Sequence, residues 1–297
     1  MPGRRSPDPG TDRRGRAVHR LTLGLGRVVL AGLGHRVVVE GLHHLPRTGP
    51  VVLASTHCAY PDPLPLALAV RRAGRWPRFL ARHDVWDSPL LGAAMDAMGH
   101  VPVDRAAPAG AYLAARRLLS AGELVALFPE AGISYSYAVR PLMRGAVALA
   151  RETGAPIVPT VVWGTQRTMM VGVTEHGGDP PADWTRGRRF DVRFGEPVQV
   201  PPGADLTEQT RALGRLLTTQ LEALQREPWH RPRPGELAPW YPAHLGGQAP
   251  DRGVASAWDA VLSSAVSPDW GPPLPDGPPA PPRPSGPPTG AWTDRFR

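Results

Sequence analysis

The sequence predicts an α/β fold, a single domain in which helices flank a mostly parallel or mixed sheet. Two observations support this prediction. Short apolar and β-branched stretches alternate with helix-like stretches from residue 37 to residue 227, an order that is typical of this class. The two ends differ from this region in composition. We therefore predict a basic N-terminal amphipathic helical segment (1–36), a folded domain (37–227) and a disordered, proline-rich C-terminal tail (228–297).

The N-terminal segment combines positive charge with an apolar stripe. Residues 1–36 hold eight Arg and two Asp, so most of the chain's net charge of +8 lies here. Apolar residues recur at spacings near three and four, which indicates an amphipathic helix; they are Leu21, Leu25, Val28, Val29 and Leu33. Such a helix either docks on an anionic membrane surface or packs on the core as an ordinary helix. We expect peripheral docking at the cytoplasmic face of the cell membrane, without a spanning helix, because charges interrupt the apolar runs.

Each element of the folded domain is predicted from its residue pattern. The strands are short, rich in β-branched or apolar residues and bounded by Gly or Pro; they cover residues 37–40, 51–55, 78–81, 100–103, 124–128, 157–162 and 190–194. The predicted helices cover residues 63–72, 89–98, 109–120, 143–153 and 206–226. The last is the clearest, since its leucines share one face and Asp205 is placed to cap its start.

The C-terminal region is dominated by proline. Residues 228–297 contain 17 Pro, a density that disfavours helices and central strands. We expect either a passive, solvated tail or a polyproline II segment that docks on a partner's aromatic groove.

Composition excludes several functional classes. The single cysteine, Cys58, rules out an internal disulfide framework and a cysteine-rich zinc site. The sequence pI is about 10.7, but residues 37–227 carry 20 Arg against 18 acidic residues. A basic face for nucleic acid is therefore not expected on the folded domain.

The stretch VVLASTHCAYPDPLPL, residues 51–66, carries the strongest chemical signal. A buried-type strand ends just before His57, and Asp62 immediately precedes a helix. Ligands of α/β sheets bind in the loops after strands. Across such a loop the carboxylate can orient the imidazole, which leaves its other nitrogen free to accept a proton from a substrate hydroxyl. Two alternatives remain: Asp62 caps the helix, or Cys58 is an acyl-accepting nucleophile.

Three further stretches hold candidate binding residues. In MGHVPVDR, Gly99 opens a short strand and Arg105 follows its end, where a guanidinium can grip a phosphate. In LVALFPEAGIS, Glu130 follows a buried strand as a site residue or a cap, and Gly132 lets a ligand approach the backbone. Arg144 stands at a helix start, where the dipole opposes it, which indicates an anion there. For either arginine the alternative is an ordinary surface residue or ion pair.

These four stretches, in this order and spacing, resemble the glycerophospholipid acyltransferase family, most closely the bacterial lysophosphatidic acid acyltransferases. The resemblance runs from about residue 37 to about residue 224. It implies that His57 is a catalytic base and that Asp62 orients it. It also implies that residues 99–105, a Gly-x5-Arg motif, help to bind the acceptor's phosphate.

Two later motifs and three departures complete the resemblance. Residues 128–131 match a Phe-Pro-Glu-Gly motif that shapes the acceptor site, Pro159 lies in a motif linked to the acyl side, and Arg144 matches a basic position. Thr56 stands where Asn is common, and Ala131 replaces the glycine of the third motif, with a glycine one position later. The residues after Gly132 also differ from the common Thr/Ser-Arg-Ser pattern.

The resemblance implies transfer of a fatty acyl group to the free hydroxyl of 1-acyl-sn-glycerol-3-phosphate, which gives phosphatidic acid. The donor is a thioester of coenzyme A or of acyl carrier protein, and no metal or other cofactor is expected. One alternative keeps this chemistry on another lysophospholipid or a glycolipid acceptor. An alternative of another class is an inactive, membrane-bound lipid-binding or scaffold protein.

Overall fold

Seven strands form one mixed sheet in the computed structural model, which describes residues 13–172, 178–259 and 261–273. The strands are β1 (Arg36–Glu40), β2 (Val51–Ser55), β3 (Pro77–Arg82), β4 (Val101–Val103), β5 (Leu124–Leu127), β6 (Ile157–Trp163) and β7 (Arg189–Phe194). The helices are α1 (Arg13–Gly32), α2 (Pro63–Arg72), α3 (Pro89–Ala97), α4 (Ala109–Ser120), α5 (Gly145–Thr153), α6 (Leu206–Gln225) and α7 (Arg252–Trp258). The predicted α/β class is confirmed, and every strand and helix predicted for residues 37–227 is present within two residues of its expected bounds.

The sheet order places β2 at the centre. From one edge to the other the strands run β1-β7-β6-β2-β5-β3-β4, and neighbours are parallel except β6 and β7. Leu53 of β2 lies opposite Ala126 of β5 and Val158 of β6. All residues of these three strands are buried, as continuous apolar strands require when both faces of a sheet are covered. The loops after the parallel strands therefore meet at one edge.

Helices cover both faces of the sheet. Val52 and Ala54 of β2 pack in one cluster with α4, α5 and α6, whereas Val51 and Leu53 pack in a second cluster with α1 and α2. This division follows from the alternation of side chains along a strand. At the start of α6, the Asp205 side chain accepts a hydrogen bond from the backbone N–H of Glu208, so the predicted cap is present.

Helix α1 packs on the domain with one stripe and presents another to solvent. Leu23 and Leu30 are buried against the domain. Leu21, Leu25 and Val28 are 75%, 66% and 68% exposed, respectively. The amphipathic helix is therefore present, and of the five apolar residues identified from the sequence Leu21, Leu25, Val28 and Val29 are exposed, whereas Leu33 follows the helix and is half-buried. None of the helices in the described part of the chain has both the length and the apolar composition needed to cross a bilayer.

The structure corrects the start of the predicted tail. Residues 228–259 and 261–273 pack on the domain, and Trp240, Tyr241 and Trp270 belong to the same core cluster as α6. The physical reason is that proline prevents regular hydrogen bonding but not burial, and aromatic residues here supply a large apolar area. The prediction of disorder for residues 274–297 lies outside the described residues.

Candidate active site

His57 and Asp62 face each other across the loop that joins β2 to α2. The imidazole Nδ1 lies 3.0 Å from Asp62 Oδ2. The same oxygen accepts the backbone N–H groups of Cys58 and Ala59 at 2.6 and 2.9 Å. The Thr165 hydroxyl donates to Oδ1. Asp62 is fully buried and makes no side-chain cap for α2, so the alternative of a helix cap is excluded.

The hydrogen bonds of Asp62 fix the orientation of the imidazole. The Asp62 carboxylate accepts a hydrogen bond from Nδ1. In a neutral His57 the proton therefore lies on Nδ1 and the lone pair on Nε2. The ring stacks on Phe128 with centroids 4.0 Å apart and an interplanar angle of 18°. The His57 side chain is 16% exposed, and Nε2 makes no hydrogen bond to any described residue. The site thus presents one oriented, unprotonated nitrogen to an incoming ligand.

The neighbouring thiol is unsuited to nucleophilic attack. Cys58 is buried. Burial raises the pKa of its thiol, and the nearby carboxylates of Asp62 and Glu130 raise it further. A protonated thiol is a poor nucleophile, so the structure favours a substrate hydroxyl over Cys58.

Glu130 joins the His57 loop to the chain that follows β5. Its Oε1 accepts the backbone N–H of His57 at 2.9 Å, and its Oε2 accepts the backbone N–H of Arg140 at 3.0 Å. Burial raises the pKa of Glu130 to about 7, although both hydrogen bonds and the Arg140 charge oppose the shift. Glu130 therefore positions the backbone of His57, and both of its carboxylate oxygens accept hydrogen bonds from the chain itself.

Three guanidinium groups lie near the loop after β5. Arg105 donates from Nη2 to the carbonyl oxygen of Ala131. Burial lowers the pKa of Arg105, and the charges of Arg82 and Arg140 lower it further, while Asp84 opposes this effect. Mutual repulsion among these cations favours binding of an anion.

The backbone of this loop shows why glycine suits the position that Ala131 occupies. Ala131 has φ of 53°, a left-handed conformation that costs an L-residue roughly 1–2 kcal/mol and that glycine adopts freely. Gly132, the next residue, has no side chain and so leaves room for the Arg140 guanidinium. A Cβ atom there would lie 2.6 Å from Arg140 Nη1 and 3.6 Å from Arg105 Nη2.

The other candidates lie apart from this group. Gly99 ends the turn after α3 with φ of 70°, and a Cβ atom there would meet Arg78 at 2.6 Å. Arg144 donates to the Thr207 hydroxyl at 3.0 Å and to the Ser264 carbonyl at 2.8 Å. Pro159 is buried inside β6, opposite Ala54. The structure brings His57, Asp62, Glu130, Arg105 and Gly132 together but not these three.

Two residues at the site were not singled out in the sequence. Thr165 follows the end of β6 and contacts Asp62; its place after a buried strand was the available signal. Arg140 lies inside the stretch that follows the third motif, where the pattern favoured Arg144 instead. The described residues contain no group of three His, Cys, Asp or Glu side chains placed to hold a metal ion.

Comparison with known proteins gives a consistent result. Residues 36–163 match the family model described as Acyltransferase. The 1-acyl-sn-glycerol-3-phosphate acyltransferase of Bacillus subtilis is 30% identical over 137 residues, which span 46% of this chain and 67% of that protein. The chloroplastic 1-acyl-sn-glycerol-3-phosphate acyltransferase BAT2 of Brassica napus is 29% identical over 173 residues, 56% of this chain. That match spans only about half of the Brassica protein, 49% of its length.

A solved structure has the same fold. The crystal structure of the 1-acyl-sn-glycerophosphate (LPA) acyltransferase PlsC from Thermotoga maritima matches with a TM-score of 0.58 and 21% sequence identity. The match covers 74% of this chain and 85% of that chain. At this identity the likeness establishes the shared architecture.

Proposed function

Because the chain belongs to the acyltransferase family, we propose that it acylates the free hydroxyl of 1-acyl-sn-glycerol-3-phosphate and so forms phosphatidic acid. The acyl donor in this proposal is a thioester of coenzyme A or acyl carrier protein. The observation that carries it is the 3.0 Å contact between His57 Nδ1 and Asp62 Oδ2, which leaves Nε2 free. A base beside a group of arginines suits a hydroxyl nucleophile on a phosphorylated acceptor. The names of the relatives from Bacillus subtilis and Brassica napus support this choice of acceptor.

The reaction starts with removal of a proton. His57 Nε2 takes the proton of the acceptor hydroxyl while the oxygen attacks the thioester carbonyl, and a tetrahedral intermediate forms. Asp62 stabilises the imidazolium that results. When the intermediate collapses, the carbon–sulfur bond breaks and His57 returns the proton to the leaving thiolate, so the products are an ester and a free thiol. General base catalysis of this kind contributes ~10²–10⁴-fold to the rate.

The acceptor's phosphate would bind on the side of the site where Arg105 lies. Arg105 follows β4, which is separated from β2 by β5 and β3 in the sheet order. Its guanidinium is anchored by the Ala131 carbonyl, which belongs to the loop that Glu130 connects to His57. One short loop therefore fixes the position of Arg105 relative to His57. In this proposal, that fixed spacing decides which hydroxyl of the acceptor reaches Nε2 when the phosphate is bound.

We further propose that α1 docks the enzyme on the membrane that holds its lipid substrates. Leu21, Leu25 and Val28 form an exposed apolar stripe, and Arg20 and Arg27 lie on the same helix. Burying such side chains in the lipid interface stabilises binding by up to about 1.5–3 kcal/mol for each one that is fully buried. Arginines next to the stripe add attraction to anionic headgroups.

The test is release of free thiol from an acyl thioester in the presence of lipid micelles. We expect release that requires lysophosphatidic acid and falls ~10²–10⁴-fold in His57→Ala. His244→Ala is the matched control, because His244 also pairs with a carboxylate, Glu222 at 3.0 Å, on the surface. Turnover only with another lysolipid or a glycolipid would keep the mechanism and change the acceptor. The absence of turnover with every acceptor, with either donor, would contradict the proposed function.

A further inference from the structure

Arg140 and Arg105 lie on either side of Gly132. A Cβ atom on Gly132 would be 2.6 Å from Arg140 Nη1 and 3.6 Å from Arg105 Nη2, so these two nitrogens are no more than about 6 Å apart. Charge-assisted hydrogen bonds to phosphate are about 2.7–2.9 Å long. Both guanidinium groups can therefore donate to one phosphate group, and Arg140 can lie this close to Arg105 because Gly132 has no side chain.

Arg140 is buried without a full set of hydrogen bonds. Its side chain is 5% exposed. Nη1 donates to the Ile133 carbonyl at 3.3 Å, Nε has no hydrogen-bond partner among the described residues, and Nη2 has none there either. Buried guanidinium N–H groups that lack acceptors are costly. An anion bound over Gly132 would supply acceptors to this side chain.

Asp259 is the carboxylate that faces Arg140. Its Oδ1 lies 3.5 Å from Arg140 Nη1, and its side chain is 4% exposed. It follows α7, outside residues 36–163 that match the family model. The distance is too long for a well-formed hydrogen bond, and Oδ1 has no other hydrogen-bond partner among the described residues. The pair holds the guanidinium in place while leaving it able to donate elsewhere.

We propose that Arg140 and Arg105 together bind the phosphate monoester of the acceptor, and that Asp259 is the positioning residue that holds Arg140 at this site. This inference rests on the proposed function and specifies which acceptor headgroup the site prefers. Two guanidinium groups match the charge of a phosphate monoester dianion better than that of a phosphodiester, which carries one negative charge. Lysophospholipids with an esterified headgroup are therefore poorer acceptors.

The test compares kinetic constants for lysophosphatidic acid and lysophosphatidylglycerol. We expect Arg140→Met to raise the KM for lysophosphatidic acid about 10- to 100-fold, the usual effect of losing a charged hydrogen bond, and to change kcat by less than about threefold. The ratio of kcat/KM for lysophosphatidic acid to kcat/KM for lysophosphatidylglycerol should fall by a similar factor. Arg140→Lys should restore part of the loss, because the charge remains. Arg116→Met on the surface of α4 is the control that should change neither constant.

Further variants separate positioning from folding. Asp259→Asn should raise the same KM by a smaller factor, since both arginines are still present and only the ion pair that positions Arg140 is lost. Gly132→Ala should raise it by displacing Arg140, and this effect should vanish in an Arg140→Met background. An unchanged KM in folded Arg140→Met, a KM in Arg140→Lys as high as in Arg140→Met, or an equal loss with both acceptors overturns this inference, while wild-type turnover keeps the proposed function. Wild-type enzyme that acylates neither lipid overturns both.

Discussion

Replacement of Asp62 by asparagine separates the charge of this carboxylate from its hydrogen bonds. Oδ2 accepts from His57 Nδ1 and from the backbone N–H groups of Cys58 and Ala59, whereas Oδ1 accepts from the Thr165 hydroxyl. An asparagine keeps its carbonyl oxygen at the position of Oδ2, because an amide NH₂ there would face three donors. The NH₂ group then faces Thr165, whose hydroxyl can rotate to accept. The orientation and tautomer of His57 are retained, and only the negative charge is lost.

The size of the effect follows from the distance between the two side chains. Two unit charges 3.0 Å apart interact by about 5–6 kcal/mol at an effective dielectric constant of about 20. If roughly half a proton has reached His57 in the transition state, about 2.5–3 kcal/mol of this acts on the barrier, and each 1.36 kcal/mol is a factor of ten in rate. We expect Asp62→Asn to lower kcat/KM about 10²-fold. The KM for the acceptor should not change, since the phosphate contacts lie on other loops.

The thiol-release assay measures this loss, and urea unfolding shows whether the variant is folded. Thr165→Val is the companion variant, because it removes one donor to Asp62 and keeps the charge; we expect a loss of roughly three- to tenfold. A loss of less than threefold in folded Asp62→Asn would refute the electrostatic role. A loss of about 10⁴-fold or more would show that the asparagine has reversed and stabilised the wrong tautomer.

Two further predictions concern pH and the membrane. The pKa of Glu130 is raised from 4.5 to about 7, so this group makes the folded state less stable as pH rises through that interval, by up to about 3 kcal/mol. Glu130→Gln should remove this part of the pH dependence in urea unfolding, and an unchanged slope would contradict the raised pKa. Replacement of Leu21, Leu25 and Val28 together by serine should lower binding to anionic vesicles at least about tenfold in sedimentation. Leu113→Ser, a control at a residue of α4 that is 48% exposed, should not lower it; equal binding by both variants would exclude docking through α1.

Apolar periodicity was sufficient to predict the elements of the sheet and its helices. Short runs rich in β-branched residues and flanked by Gly or Pro, such as 51–55 and 157–162, indicate buried strands, and the strand-helix alternation implies parallel neighbours. The contact between His57 and Asp62 could also be predicted from the sequence, because the two residues are only five positions apart. Contacts of short sequence separation are the part of a site that spacing can predict.

Long-range contacts could not be predicted in this way. The contact between Thr165 and Asp62 spans 103 positions, and that between Arg140 and Asp259 spans 119. The local pattern favoured Arg144, at a helix start, over Arg140 four residues earlier, yet of these two it is Arg140 that reaches Gly132. The predicted start of the disordered tail, residue 228, was wrong for a related reason. A high proline count disfavours regular helices and strands, but it does not show whether aromatic residues such as Trp240 and Trp270 pack on a distant part of the domain.

The position of Asp259 in the chain has a consequence for biosynthesis. Residues 36–163 include the hydrogen-bonded pair His57 and Asp62, and Thr165 lies two residues beyond this range. The carboxylate that faces Arg140 is added 94 residues after Thr165. The residues of the His57–Asp62 pair are therefore synthesised long before the carboxylate that anchors Arg140. Truncation of the chain before residue 259 would remove that carboxylate and leave the pair in the sequence.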